Sequence, residues 1–182
     1  VCKFGALSAR VYSWLYRSSP SNRIVVDLLE LRPEDRALEV GCGPGAAVAL
    51  AAERIGADRV AAVDPSPTFV GQVRRRVAGA DVRVGTAEGL PFNDGSFTAI
   101  WSIASMHHWA DRDAGLAELT GKLAPGGRLL LAERLLKRPG HGITASETAE
   151  VLAHLKGLGY TGVRTIQRPN GRRTIQVIHA TR

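Results

Sequence analysis

The 182 residues are 45% hydrophobic and carry 24 Lys and Arg against 17 Asp and Glu, a formal charge of +7. That is enough apolar chain for one domain over residues 1–182 without staples, and two cysteines far apart in sequence, Cys2 and Cys42, predict a reduced, cytoplasmic protein. No apolar stretch approaches the roughly 18 residues of a membrane span, and the arginine clusters at 74–76 and near the C-terminus lack interleaved aromatics, so neither a membrane nor a nucleic-acid partner is expected.

In chain order, Ala6, Ala9, Val11, Trp14 and Leu15 give residues 1–20 the face of an amphipathic helix, with Tyr12 and Tyr16 beside it. It either packs over a sheet edge or closes over a site as a lid. SNRIVVDLLEL at 21–31 predicts a second helix that opens after Pro20 with Ser21 or Asn22 as its cap and stops before Pro33. From Ala37 onward, apolar runs alternate with helical patterns. Strands are expected at 37–41, 59–64, 81–86, 97–103 and 127–135, with helices at 45–57, 66–78 and 111–124 between them.

The fifth strand is followed by a short loop at 137–143. A helix over 144–158 then opens on TASE, a capping box from Thr144 to Glu147. GVRTIQR and RTIQVIHA flank Asn170-Gly171, which predicts an antiparallel hairpin. The sum is an α/β protein: a Rossmann-like three-layer sandwich whose seven-stranded sheet is mainly parallel and ends in that C-terminal hairpin.

ALEVGCGPGAA, between the first strand and its helix, packs Gly41, Gly43 and Gly45 into five positions. Glycines there permit a tight turn and a close approach of ligand to backbone, next to the free N–H groups of a helix start. The second strand ends in AAVDPS, where Asp64 either accepts hydrogen bonds from ribose hydroxyls or caps the next helix. These features predict a nucleoside-containing cofactor. They do not choose one, since the loop also satisfies the looser dinucleotide fingerprint.

EVGCGPG, VDPS, GTAEGLPFNDGSFTAIWSIASMHHWAD and LAPGGRLLLAE, in that order and spacing, resemble the motifs of the class I S-adenosylmethionine-dependent methyltransferases. The resemblance runs from about Asn22 to the C-terminus. It implies S-adenosylmethionine as methyl donor and S-adenosylhomocysteine as product. Methionine-end contacts would come from Glu39, Gly41 and the backbone around Ser102 and Ile103, with Cys42, Gly43 and Gly45 as the other cofactor-binding residues of the loop. Asp64 would hold the ribose, Pro65 would flank the adenine, and Thr86, Ala87 and Glu88 would border its edge. Thr86 departs from the Asp many relatives carry there, and a hydroxyl is the weaker acceptor. Cys42 otherwise reads as a small filler of the loop, and Glu88 equally as a solvated residue.

His107 and His108 in MHHW follow the fourth strand and are the candidates for a general base or a shaper of the acceptor site, against the plainer reading of structural histidines. Tyr12, Tyr16, His107 and Trp109 are the candidate acceptor-site residues. No metal is expected: adjacent histidines point apart, and His141, His154 and His179 are scattered. WSIASM replaces the Asn- or Asp-Pro-Pro-aromatic motif of base-amino methyltransferases, so a small molecule is the expected acceptor, ahead of protein or RNA. The competing readings are a non-catalytic scaffold or activator subunit that still binds the donor, and an NAD(P)-dependent oxidoreductase. The last lacks a Tyr-x-x-x-Lys pair and a second domain. A homodimer is compatible with all of them.

Overall fold

The computed structural model describes residues 20–182, so the expected N-terminal helix and both Tyr12 and Tyr16 lie outside the described residues. The chain then runs α1 (Pro20–Leu28), β1 (Ala37–Val40), α2 (Ala46–Ile55), β2 (Val60–Asp64), α3 (Pro67–Arg76), β3 (Asp81–Val84) and β4 (Phe97–Ile103). It continues through a 3-10 turn at Met106–His108 to α4 (Arg112–Lys122), β5 (Leu123–Leu136), β6 (Ile143–Thr144), α5 (Ala145–Gly157), β7 (Thr161–Asn170) and β8 (Arg173–Thr181).

Strand order is β3-β2-β1-β4-β5-β8-β7, parallel except where β8 runs antiparallel to β5 and β7. The central strands are continuous apolar runs because both their faces are covered. Alternate side chains go to opposite layers. Ala37, Ala99, Trp101, Leu130 and Val177 pack with α1, α2 and α3; Leu38, Ile100, Leu129, Leu131 and Ile178 pack with α4 and α5. The chain leaves β1 toward β2 and β3, then crosses to β4 on the other side of β1. A crevice therefore opens at the carboxyl ends of β1 and β4, where the direction of winding reverses.

Four local expectations change. α1 already includes Pro20, so Ser21 and Asn22 lie inside the helix and do not cap it. The third strand stops at Val84, and Thr86 pairs back on Gly89 instead of extending it. β5 starts at Leu123, directly after α4, and its register against β4 jumps from Leu123 to Arg128, so the APGG segment bulges out of the ladder. The seven expected strands gain an eighth, β6, whose Ile143 and Thr144 pair with Leu135 and Leu136 and fold the 137–142 loop back on β5. The Thr144–Glu147 capping box and the turn at Gly171 form as expected.

A buried polar knot ties the start of β1 to its neighbours. Asp35 accepts from Thr98 Oγ1 at 2.6 Å, from the Arg32 amide at 2.7 Å and from Arg128 Nη2 at 2.5 Å, while Arg128 Nε donates to the Leu29 carbonyl at 3.1 Å. Burial alone raises the Asp35 carboxyl, but the Thr98 hydroxyl, the Arg32 amide and Arg128 outweigh it and hold the carboxyl below its ordinary range. Asp35→Ala leaves the Arg128 guanidinium largely buried without its counter-charge, and should cost about 2–3 kcal/mol in urea unfolding at neutral pH. Because the folded value is the lower one, the gap between wild type and variant should close as the pH falls below 3.8.

Candidate active site

β1 ends at Val40 and turns through Gly41, Cys42, Gly43, Pro44 and Gly45 into α2. The three glycines all have positive φ, at 76°, 50° and 75°, yet each makes room for something different. A Cβ on Gly41 would lie 1.9 Å from Ser105 Oγ, and one on Gly45 would lie 2.6 Å from Val73 of α3. A Cβ on Gly43 would meet nothing within 4 Å. Gly41 thus admits the loop after β4, Gly45 admits a helix, and Gly43 opens on free space.

The loop amides are turned to the protein. Gly41 and Cys42 donate to the Val63 carbonyl at 2.8 and 3.1 Å, Gly43 to Asp64 Oδ2 at 2.8 Å, and Gly45 to the Cys42 carbonyl at 2.9 Å. Pro44 has no N–H, so no amide from Gly41 to Gly45 is left to cradle a pyrophosphate, as the dinucleotide reading requires. Cys42 is buried, and burial pushes its thiol well up, as befits a space-filler.

Asp64 Oδ1 accepts from the Ser66 amide at 2.8 Å, so the carboxylate staples β2 to the glycine loop and to the start of α3. It does not cap that helix: Ser66 does, with its hydroxyl accepting from Phe69. Burial raises the Asp64 carboxyl, opposed by the Ser66 and Gly43 amides. Two of its roughly four acceptor positions remain.

Glu39 is 3% exposed and sits opposite Trp101 in the β1–β4 register. Burial pushes its carboxyl up to about 8; the Trp101 indole and the Val48 amide favour the charged form, and the Asp64 charge opposes it. Among the described residues, Glu39 Oε2, Trp101 Nε1 and Ser102 Oγ have no partner at hydrogen-bonding geometry. Glu39 and Trp101 are register partners on one face at the carboxyl ends of β1 and β4, whereas Ser102 faces the other layer. A buried carboxylate beside such a donor fits a cationic, hydrogen-bonding group such as an ammonium.

The remaining donor-side residues divide. Pro65 is exposed, Ile103 is half-buried against the core, and Ala87 is buried. Glu88 accepts from the Ala110 and Asp111 amides at 2.7 and 3.2 Å. Those bonds, with the Thr86 hydroxyl, overcome its partial burial and hold the carboxyl below its ordinary range. Glu88 is thus a tie between two loops, not a merely solvated residue.

Beyond β4 lies a cavity of about 420 Å³ walled by Met106, His107, Trp109, Arg112, Ile143 and Glu147, with Gly140 and Gly142 also bordering it. That is the size of a small-molecule pocket. The short loop after β5 forms one of its walls through Gly140 and Gly142. Trp109 stands there because α4 carries Gly115, where a Cβ would lie 2.7 Å from the indole.

His107 is held by a partner that sequence reasoning missed. Its Nδ1 lies 2.8 Å from Oε2 of the buried Glu133, whose Oε1 also accepts from the His107 amide at 3.3 Å. The available signal was one acidic residue in the apolar run LLLAE. The divergence expected of adjacent histidines also fails. In the 3-10 turn the rings of His107 and His108 are 3.9 Å apart, and His141 from the β5–β6 loop comes within 5.6 Å of both. Partial burial lowers the His108 pKa, helped by His107 and His141 and opposed by Glu133. His154 and His179 stay outside this group.

The family model described as "Methyltransferase domain" matches residues 38–131, which carry the glycine loop, Asp64 and MHHW. The chain belongs to this methyltransferase family. This methyltransferase domain is 37% identical over 114 residues to the methyltransferase GfsG of Streptomyces halstedii, covering 60% of this chain and 41% of that protein. It is 33% identical over 124 residues to the 27-O-demethylrifamycin SV methyltransferase of Amycolatopsis mediterranei, covering 65% and 45%. The chain thus spans less than half the length of either. Its fold matches the crystal structure of a SAM-dependent methyltransferase from Aquifex aeolicus with a TM-score of 0.75 at 17% identity, over 98% and 99% of the two chains.

The glycines should separate on substitution. Gly45→Ala, clashing with Val73 and strained at φ 75°, should lower stability by about 1–3 kcal/mol. Gly43→Ala should cost about 1 kcal/mol from its φ alone, by denaturant titration. Glu39→Gln should stabilise the ligand-free protein as the pH rises. The folded carboxyl near 8 lies above its ordinary 4.5, so its stability contribution is complete below pH 4.5 and lost as the pH rises to 8. Thermal unfolding from pH 5 to 9 should show wild type falling behind the variant.

Proposed function

We propose that this methyltransferase domain binds S-adenosylmethionine at the carboxyl ends of β1 and β2 and directs methyl transfer to a small molecule in the cavity beyond β4. The observation that carries the reading is the buried Glu39 Oε2 without a hydrogen-bond partner among the described residues, at the end of the strand that leads into a glycine loop whose Gly43 opens on free space. When bound, the donor supplies a methyl group activated by a sulfonium and departs as S-adenosylhomocysteine.

The chain's own residues bind, orient and exclude water. Glu39 receives the ammonium of the amino-acid end, with Gly41, Cys42 and Gly45 shaping the loop and Ser102 and Ile103 leading from that end toward the acceptor. Gly43 leaves room for the ligand to pass over the backbone. Asp64 offers its remaining lone pairs to the ribose hydroxyls. Pro65 flanks the adenine, and Thr86, Ala87 and Glu88 border its edge.

His107 serves the acceptor side. Donating Nδ1–H to Glu133 fixes the tautomer with Nε2 unprotonated, ready to take a proton from a hydroxyl or ammonium acceptor. Trp109, with its indole N–H 3.4 Å from Ser105 Oγ, gives the cavity an aromatic wall. Neighbouring His108 completes the turn that presents His107. The two curated relatives named for methyl transfer, one of them to a rifamycin precursor, support a small-molecule acceptor.

S-adenosylhomocysteine at 100 times its Kd should stabilise the protein by about 2.7 kcal/mol in thermal unfolding, and NADH should not. Asp64→Ala and Glu39→Gln should each weaken that binding about tenfold or more while remaining folded. With an acceptor found by screening hydroxylated and amine compounds, His107→Gln should lower kcat about 100-fold with little change in donor affinity. Donor binding without transfer to any acceptor would turn the assignment toward the scaffold reading.

A further inference from the structure

His107 lines the cavity, and the rings of His108 and His141 gather against it. One ring nitrogen from each of His107, His108 and His141 lies within 4.8 Å of the others, in a group drawn from the 3-10 turn after β4 and the β5–β6 loop. We propose that these three imidazoles form a site for a divalent transition-metal ion of the zinc class.

Imidazole is the ligand of choice for such ions, and three histidines with an open fourth position make a recognised coordination set. On a tetrahedral ion with bonds of about 2.0–2.1 Å, the ligand nitrogens sit roughly 3.3–3.4 Å apart. His108 and His141 are exposed, and rotation of their side chains closes the remaining distance.

A further observation points to a ligand site instead of a chance surface cluster. The carboxylate of Glu133 on Nδ1 of His107 is the outer partner that orients a metal-bound imidazole and raises its basicity. It leaves Nε2 as the metal-binding nitrogen. Gly142, next to His141, lets the loop pass close to β5, where a Cβ would lie 2.3 Å from the Arg134 carbonyl oxygen. The loop can therefore turn back over β5 only with glycine next to that histidine.

The lone pair that would bind the ion is the one that would accept a proton, so the metal-bound and base forms of His107 exclude each other. In the metal-bound form the fourth position is left to water or to an acceptor heteroatom in the cavity. The assignment itself rests on the histidine geometry and not on methyl transfer.

The test uses untagged protein, stripped with a chelator and titrated with Zn²⁺ against a chromophoric competitor, with Co²⁺ absorption reporting geometry. One equivalent should bind, and Co²⁺ should give the intense visible bands of a tetrahedral nitrogen site. His108→Ala and His141→Ala, both at exposed positions, should each weaken zinc about tenfold or more while thermal unfolding stays unchanged. Zinc binding that is absent, or unaffected by both substitutions, overturns the proposal. S-adenosylhomocysteine binding, measured on the same samples, keeps the two readings apart. Zinc without nucleoside binding removes the donor assignment alone, and nucleoside without zinc binding removes the metal site alone.

Discussion

The structure of this methyltransferase domain depends on the glycine loop being pulled onto the end of β2. The Val63 carbonyl takes two loop amides and the Asp64 carboxylate takes a third. Those bonds turn the loop's donors inward and fix the start of α2. They require backbone with positive φ, which only glycine adopts without strain. Everything on the donor side follows from that constraint. Ser105 and α3 fill the space left at Gly41 and Gly45, and the opening is confined to Gly43.

Around this loop the protein keeps an electrostatic arrangement that is poor for the empty fold. Glu39 is a buried carboxyl with an unmatched oxygen, whose charged form is disfavoured by burial and by the Asp64 charge. The contrast is Asp35, equally buried, where three donors fully satisfy the carboxylate and make it part of the scaffold. One acid finds its donors within the chain, and the other keeps an oxygen without a hydrogen-bond partner among the described residues. That difference is the ground for proposing Asp35 as structural and Glu39 as a ligand contact.

The cavity beyond β4 and the histidine group beside it are assembled from segments distant in sequence. β4 supplies the turn with His107 and His108, β5 supplies Glu133 beneath them, and β6 folds the next loop back so that His141 and Gly142 reach the same place. A pairing of two residues, Leu135 with Ile143 and Leu136 with Thr144, decides whether that loop is a wall of the cavity.

Much of this was legible in the residues. Alternating apolar runs and helical patterns determined the α/β sandwich, since covered strands must be apolar on both faces. The glycine loop after β1 and Asp64 at the end of β2 stood where the sequence put them, and the Thr144 capping box and Asn170-Gly171 turn were local chemistry. What the sequence did not carry was every feature made by distant residues meeting: the orphaned state of Glu39, the Glu133 beneath His107, the separate reasons for three glycines, and the convergence of His141 on MHHW. By itself the sequence determined the elements, the family resemblance and the donor loop, because those depend on interactions a few residues long. Only the tertiary structure decided which polar groups are satisfied and which histidines share a site. Those properties depend on how the β4, β5 and β6 ends are brought together by sheet pairing, and no local pattern encodes that distance.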